Sequence, residues 1–141
     1  EAFAELMNTE AKQLGATGTH FVNPHGLHDE NHYTTTYDLY LMFNEALKDQ
    51  AFLDIISMNS YTAKVTSADG TSYTPTWQAT NYYSAGEATP PDGIHVYGGK
   101  TGTTDQAGNC VILYEKNTAG EPYISGIMGA SDKPLLYEEM N

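Results

Sequence analysis

Arginine is absent from this sequence, and six lysines stand against 18 acidic residues, for a formal net charge of −12. Binding to a phosphate backbone needs clustered basic side chains, so nucleic acid is excluded as a partner. The acidic surplus reads as a solvated surface that favours solubility. Cysteine occurs once, at Cys110, so no disulfide can close within the chain. Cys110 opens the apolar run Cys110-Val111-Ile112-Leu113, where a small buried hydrophobe fits. No neighbour in sequence would lower its pKa toward a nucleophilic thiolate. Nor does any stretch approach the roughly 18 apolar residues of a membrane-spanning helix. The first residues lack the basic start of a signal peptide. No internal repeat or low-complexity segment is present.

What remains is a chain of 141 residues, 40% hydrophobic and 17% charged. A chain near this length forms one domain and buries about 68% of its unfolded surface. Phe3, Leu6, Met7, Ala11 and Leu14 recur at helical spacing, with Gly15 as a stop. No capping residue precedes them, so the chain is expected to begin inside a longer structure. A loop over 18–27 carries the Asn23-Pro24 and His25-Gly26 pairs. Thr35-Thr36-Tyr37-Asp38 has the spacing of an acidic capping box and predicts a helix burying Leu39, Met42, Phe43, Ala46 and Leu47. A short apolar helix over 51–56 follows.

Tyr61, Ala63 and Val65 alternate as in a strand, and Asp69-Gly70 turns the chain back through Tyr73. Residues 78–93 read as a long surface loop, given Asn81, Pro90, Pro91 and Gly93. Three strands are then predicted over 95–104, 109–115 and 123–130, as an antiparallel meander. Val111 and Leu113 are expected on one face, with Cys110, Ile112 and Tyr114 on the other. A strand apolar on both faces belongs in the centre of a covered sheet. A terminal helix from Asp132-Pro134 buries Leu135, Leu136 and Met140. The chain thus divides into a helical part with its loop (1–59), a hairpin with a long loop (60–93), and a sheet with a terminal helix (94–141).

The chemistry concentrates in Gly98-Gly99-Lys100-Thr101-Gly102-Thr103-Thr104. Glycine weakens a strand, and glycines inside one mark a close approach by another backbone or a ligand. An ammonium at Lys100 beside the hydroxyls of Thr101 and Thr103 suits a carboxylate, each charge-assisted hydrogen bond contributing roughly 1.5–3 kcal/mol. Period-two alternation puts both hydroxyls on one face and Lys100 opposite or at a twisted edge. A phosphate-binding P-loop is excluded, because its lysine opens a helix after a Gly-x-x-x-x-Gly run.

Lys100-Thr101-Gly102 resembles the Lys-Thr-Gly element of the penicillin-recognising serine hydrolases. Three further runs, 19–27, 32–35 and 37–39, resemble the loop and helix that precede this element in serine-type D-alanyl-D-alanine carboxypeptidases of the low-molecular-mass penicillin-binding class. The runs 99–108 and Met128-Gly129-Ala130 resemble that family's Lys-Thr-Gly strand with its turn and the end of its last strand. The resemblance covers almost the whole chain. It implies an α/β (α+β) fold of the β-lactamase/transpeptidase type, an antiparallel sheet flanked by helices, of which this chain supplies the C-terminal strands and helices.

The resemblance also implies an activity. A serine attacks the carbonyl between the two D-alanines of a peptidoglycan stem peptide, releases the last one, and leaves an acyl-enzyme for water to hydrolyse. Lys100 is then expected as a catalytic residue that holds the terminal carboxylate and supports proton movement. Thr101 and Thr103 are expected to hydrogen-bond that carboxylate, and the Thr103 N–H to form half of the oxyanion hole. Gly102 and Thr104 complete the substrate-binding strand. The implied partners are a D-Ala-D-Ala stem peptide and, in the intact enzyme, β-lactams. No cofactor or metal is implied, and the setting is extracytoplasmic.

One departure matters. None of the seven serines is followed three residues later by lysine, and the single Ser-x-Asn triplet, Ser57-Met58-Asn59, lies after the 18–27 loop rather than upstream of it, where the family carries that element. Both family elements lie upstream of the helix with which this chain begins, so the chain is expected to be a C-terminal part that is inactive alone. An uncovered sheet edge and apolar face are expected with it, inviting self-association.

Three other readings compete. His20, His25, His28 and His32, with Asp29 and Glu30, could supply zinc ligands for a hydrolase, although Pro24 and Gly26 favour a loop over a zinc helix. A non-catalytic peptide-binding module would keep the carboxylate pocket alone. A class A β-lactamase-like enzyme shares Lys-Thr-Gly but not the His-Gly-Leu loop. Trp77, Tyr82 and Tyr83 are expected in surface or core packing rather than in a substrate groove.

Overall fold

The computed structural model describes residues 2–141; Glu1, the first residue of the predicted helical part, lies outside them. Five helices and seven strands follow one another as α1 (Ala2–Gln13), α2 (Thr36–Ala46), α3 (Gln50–Ile56), β1 (Ser60–Thr62), β2 (Val65–Thr66), β3 (Ser72–Tyr73), β4 (Thr76–Gln78), α4 (Tyr82–Ala85), β5 (Ile94–Thr104), β6 (Gly108–Asn117), β7 (Pro122–Ala130) and α5 (Lys133–Met140). The strands β5, β6 and β7 form an antiparallel sheet in that spatial order, so β6 is central and β5 and β7 are its edges. The meander predicted from the alternation is therefore the sheet that forms.

Helix boundaries follow local chemistry. Thr35 caps α2, its Oγ1 accepting from Asp38 N at 3.1 Å, and Asp49 caps α3 through Ala51 N at 2.8 Å. Asp132 caps α5 through Leu135 N at 2.8 Å, with Pro134 in the first turn. The predicted hairpin forms in two pieces, β1 with β4 and β2 with β3, turning at Ser67–Gly70.

The core lies on one face of the sheet. Val111 and Leu113 of β6 and Ala130 of β7 pack on Leu136 and Tyr137 of α5. Full burial of a leucine such as Leu113 or Leu136 contributes roughly 1.5–3 kcal/mol. The 78–93 stretch is more than the surface loop expected of it. Asn81 is buried and caps the single turn α4, and Tyr82 and Tyr83 pack against the core. The Tyr82 ring stacks on Tyr137 at 4.6 Å, and Tyr83 meets it edge-on at 5.1 Å. Tyr82 N donates to Tyr137 Oη at 2.9 Å. On the opposite face α2 lies against the sheet, with Leu39 beside Ile112 and Met128.

The helical part departs from its predicted stripes. In α1 the buried residues are Ala4 and Ala11, while Phe3 and Leu6 are 61% and 65% exposed. They rim a groove of about 640 Å³ between α1 and α2 that also takes in Met7, Leu14, Phe21 and Met42. In α2 Phe43 is buried as expected, but so is Asp38, which accepts from Thr19 Oγ1 at 2.7 Å. That bond latches the histidine-bearing loop to the helix. No helix among the described residues is long and apolar enough to cross a membrane.

Candidate active site

Backbone approach fixes where β5 can carry side chains. Gly98 has φ +150°, and a Cβ there would meet the Ile56 carbonyl oxygen at the end of α3 at 1.9 Å. A Cβ on Gly99 would meet the Ile112 carbonyl oxygen of β6 at 2.0 Å. The first two glycines are therefore structural, seating the strand between α3 and β6. Gly102 differs: nothing lies within 4 Å of its Cβ position. Its backbone faces open space, on an edge strand whose far side is unpaired among the described residues. A bulge at Tyr97, between the pairs Val96–Glu115 and Gly98–Tyr114, resets the strand just before this stretch.

Lys100 pairs with Ile112, Thr101 with Val111, Gly102 with Cys110 and Thr103 with Asn109. Lys100, Thr101 and Gly102 line a shallow hollow of about 200 Å³ together with Leu39, Cys110, Ile112 and Met128. Lys100 is exposed and its Nζ donates to Thr101 O. Among the described residues it makes no ion pair; the single pair there joins Lys48 and Glu45. Lys12, Lys64, Lys116 and Lys133 are likewise without an ion pair there, so what distinguishes Lys100 is its place between the glycines of an edge strand.

The threonines are held differently. Thr101 Oγ1 lies 2.7 Å from Thr80 Oγ1, whereas Thr103 Oγ1 donates to Asn109 Oδ1 at 3.1 Å. Thr104 Oγ1 accepts from Ala107 N at 3.0 Å and closes the β5–β6 turn. The structure thus brings Lys100, Thr101 and Gly102 together at one hollow and gives Thr104 a turn-forming bond. Cys110, expected as a core hydrophobe, is half-buried and lines the hollow, its thiol 3.5 Å from Ala107 O. Thr80 and Cys110 carry no sequence signal that places them at the site; the pairing register brings Cys110 there, and a long-range loop contact brings Thr80.

The histidine loop is organised by its own backbone. His20 Nδ1 lies 2.5 Å from Asn31 O, while His32 and His25 accept through Nδ1 from Val22 N at 3.3 Å and Leu27 N at 3.2 Å. Among the described residues, no three histidine, cysteine or carboxylate groups converge as metal ligands do. Trp77 is half-exposed on β4 beside Tyr61, while Tyr82 and Tyr83 are partly buried and pack against the core.

Residues 1–132 match the family pattern of the D-alanyl-D-alanine carboxypeptidases. The chain belongs to that family. A D-alanyl-D-alanine carboxypeptidase of a Streptomyces species is 28% identical over 135 residues, 95% of this chain and 44% of that protein. The carboxypeptidase DacA of Haemophilus influenzae is 30% identical over 129 residues, 90% of this chain and 29% of the other. The crystal structure of the Streptomyces DD-transpeptidase superposes with a TM-score of 0.86 at 28% identity, over 97% of this chain and 50% of that one. This carboxypeptidase-family chain therefore has the expected mixed fold, helices flanking an antiparallel sheet, and spans about half the length of the solved structure it matches.

Proposed function

We propose that this chain carries the carboxylate-binding half of a serine-type D-Ala-D-Ala carboxypeptidase site, and that its substrate is a peptidoglycan stem peptide ending in D-Ala-D-Ala. The observation that carries this reading is the Lys100 ammonium, held at the Thr101 carbonyl, next in sequence to the Thr101 hydroxyl and the open backbone of Gly102, on a strand whose outer edge is unpaired among the described residues. A peptide laid along that edge adds a strand by backbone hydrogen bonds, and Gly102 presents no side chain against it. Lys100 and Thr101 hold the terminal carboxylate. The Thr103 N–H supplies half of an oxyanion hole for the tetrahedral intermediate.

The nucleophile comes from a Ser-x-x-Lys element, which these 141 residues lack, and proton transfer from a Ser-x-Asn element upstream of α1. Ser57-Met58-Asn59 has that spacing but caps the C-terminal end of α3, where Ser57 Oγ donates to Leu53 O at 2.7 Å. Without a nucleophile kcat falls by about 10⁶, so the chain alone is inactive. The intact enzyme works outside the cytoplasm, where its wall substrate is, and β-lactams acylate it. The free edges of β5 and β7 and the exposed Phe3 and Leu6 favour self-association of the isolated chain.

The test is gain of function. Release of D-alanine from diacetyl-Lys-D-Ala-D-Ala is measured for the chain alone and for the chain fused behind the N-terminal half of the Streptomyces relative. The expected result is no release from the chain alone, release from the fusion, and loss of that release in the fusion carrying Lys100→Ala. Release unaffected by Lys100→Ala would overturn the reading.

A further inference from the structure

A threonine hydroxyl has one proton to give and two lone pairs to receive with. On β5 two such hydroxyls bracket Gly102, and their partners differ. Thr103 Oγ1 spends its proton on Asn109 Oδ1 at 3.1 Å. Asn109 Nδ2 donates to Ala130 O at 3.3 Å, which fixes the amide oxygen toward Thr103. The Thr103 proton is thus committed within the sheet.

Thr101 Oγ1 is paired at 2.7 Å with Thr80 Oγ1, and in that pair either oxygen can donate. When Thr80 donates, Thr101 keeps its own proton for a third party. A hydroxyl that already accepts a hydrogen bond is also polarised into a better donor. Thr80 sits on a backbone anchored at both sides. Ala79 N donates to Asn59 O at 2.8 Å, Asn81 Oδ1 accepts from Ser84 N at 2.9 Å, and Tyr82 N donates to Tyr137 Oη at 2.9 Å. The core tyrosines thereby hold Thr80 in place beside the strand.

We infer that Thr80 is a positioning residue for carboxylate recognition: by donating to Thr101 Oγ1 it directs the Thr101 proton at an anion seated beside Lys100, while Thr103 serves through its backbone rather than its hydroxyl. This rests on the reading of β5 as the carboxylate site. It adds a residue 20 positions upstream of Lys100 and assigns the two threonines different tasks. A neutral ligand of the same shape, such as a C-terminal amide, gains far less from a donor aimed at this point.

The test is a ¹H–¹⁵N titration of the 141-residue chain with N-acetyl-D-Ala-D-Ala and with its C-terminal amide, for the wild type, Thr80→Val, Thr80→Ala and Thr80→Ser. Removing one hydrogen bond of ordinary strength is expected to weaken acid binding about three- to tenfold in the Val and Ala variants. Amide binding should stay unchanged, and Thr80→Ser should restore acid binding. Dispersed wild-type-like spectra report that the fold is kept. If the wild type prefers acid over amide and Thr80→Val retains that preference in full, the assignment of Thr80 is overturned and the site stands. A wild type that binds neither ligand, or both equally, overturns the site and this inference with it.

Discussion

Gly98 lies under the C-terminal end of α3 so closely that a Cβ added to it would sit 1.9 Å from the Ile56 carbonyl oxygen. Two backbones meet there without room for a methyl group, and the contact sets the height of β5 against the helices. Gly98→Ala must push α3 off the sheet, and a loss of about 3 kcal/mol or more in urea denaturation is expected, in the range of strained or overpacked sites. Gly102→Ala meets nothing within 4 Å, so its unfolding midpoint should shift by less than about 1 kcal/mol. Its added methyl group should instead weaken binding of a peptide laid on the strand.

The phenol of Tyr137 links α5 to α4, accepting from Tyr82 N at 2.9 Å. Tyr137→Phe leaves that N–H without its partner and should cost about 1–3 kcal/mol at neutral pH.

Burial, foremost, raises the pKa values of both Tyr137 and Tyr83 above the ordinary 10.0. The unfolded phenols therefore ionise first as pH climbs. Their contribution to stability is complete below about pH 10 and is lost as pH rises from there through the raised folded values. Thermal melts between pH 8 and 11.5 should fall off steeply above pH 10 in the wild type. The slope should be shallower in Tyr137→Phe, which has one such phenol fewer.

Asp38 is 4% exposed and accepts from Thr19 Oγ1 at 2.7 Å, while its own N–H donates to the cap Thr35. Asp38→Ala removes the latch between α2 and the loop over 18–34. A loss of about 2 kcal/mol is expected, together with faster proteolytic cleavage within residues 23–31. Thr19→Val should accelerate the same cleavage, because it removes both the bond to Asp38 and the 2.8 Å bond to Thr34 Oγ1, while either variant keeps the Thr35 cap.

Legibility in the sequence followed the range of the interactions. The meander, the caps at Thr35 and Asp132 and the glycine-flanked lysine were readable because each rests on neighbours in the chain or on strict alternation. Helical periodicity in α1 showed an apolar face but not what covers it, and Phe3 and Leu6 remain exposed. The turn α4 was hidden among Pro90, Pro91 and Gly93, and its place in the core depends on Tyr137, more than 50 residues away. At the site, Lys100, Thr101 and Gly102 could be named from the motif. Thr80 could not, because a threonine before an asparagine in a loop resembles any other turn residue, and only the fold brings it to Thr101.

The account depends most on β5 recognising an anion, and mapping the amide shifts of the wild-type chain during addition of N-acetyl-D-Ala-D-Ala tests this directly. Saturable shifts concentrated at residues 98–104 and Thr80, abolished in Lys100→Ala and absent with the C-terminal amide, are the expected result. Shifts centred on the loop of His20, His25 and His32, or none on β5 at any ligand concentration, would contradict it.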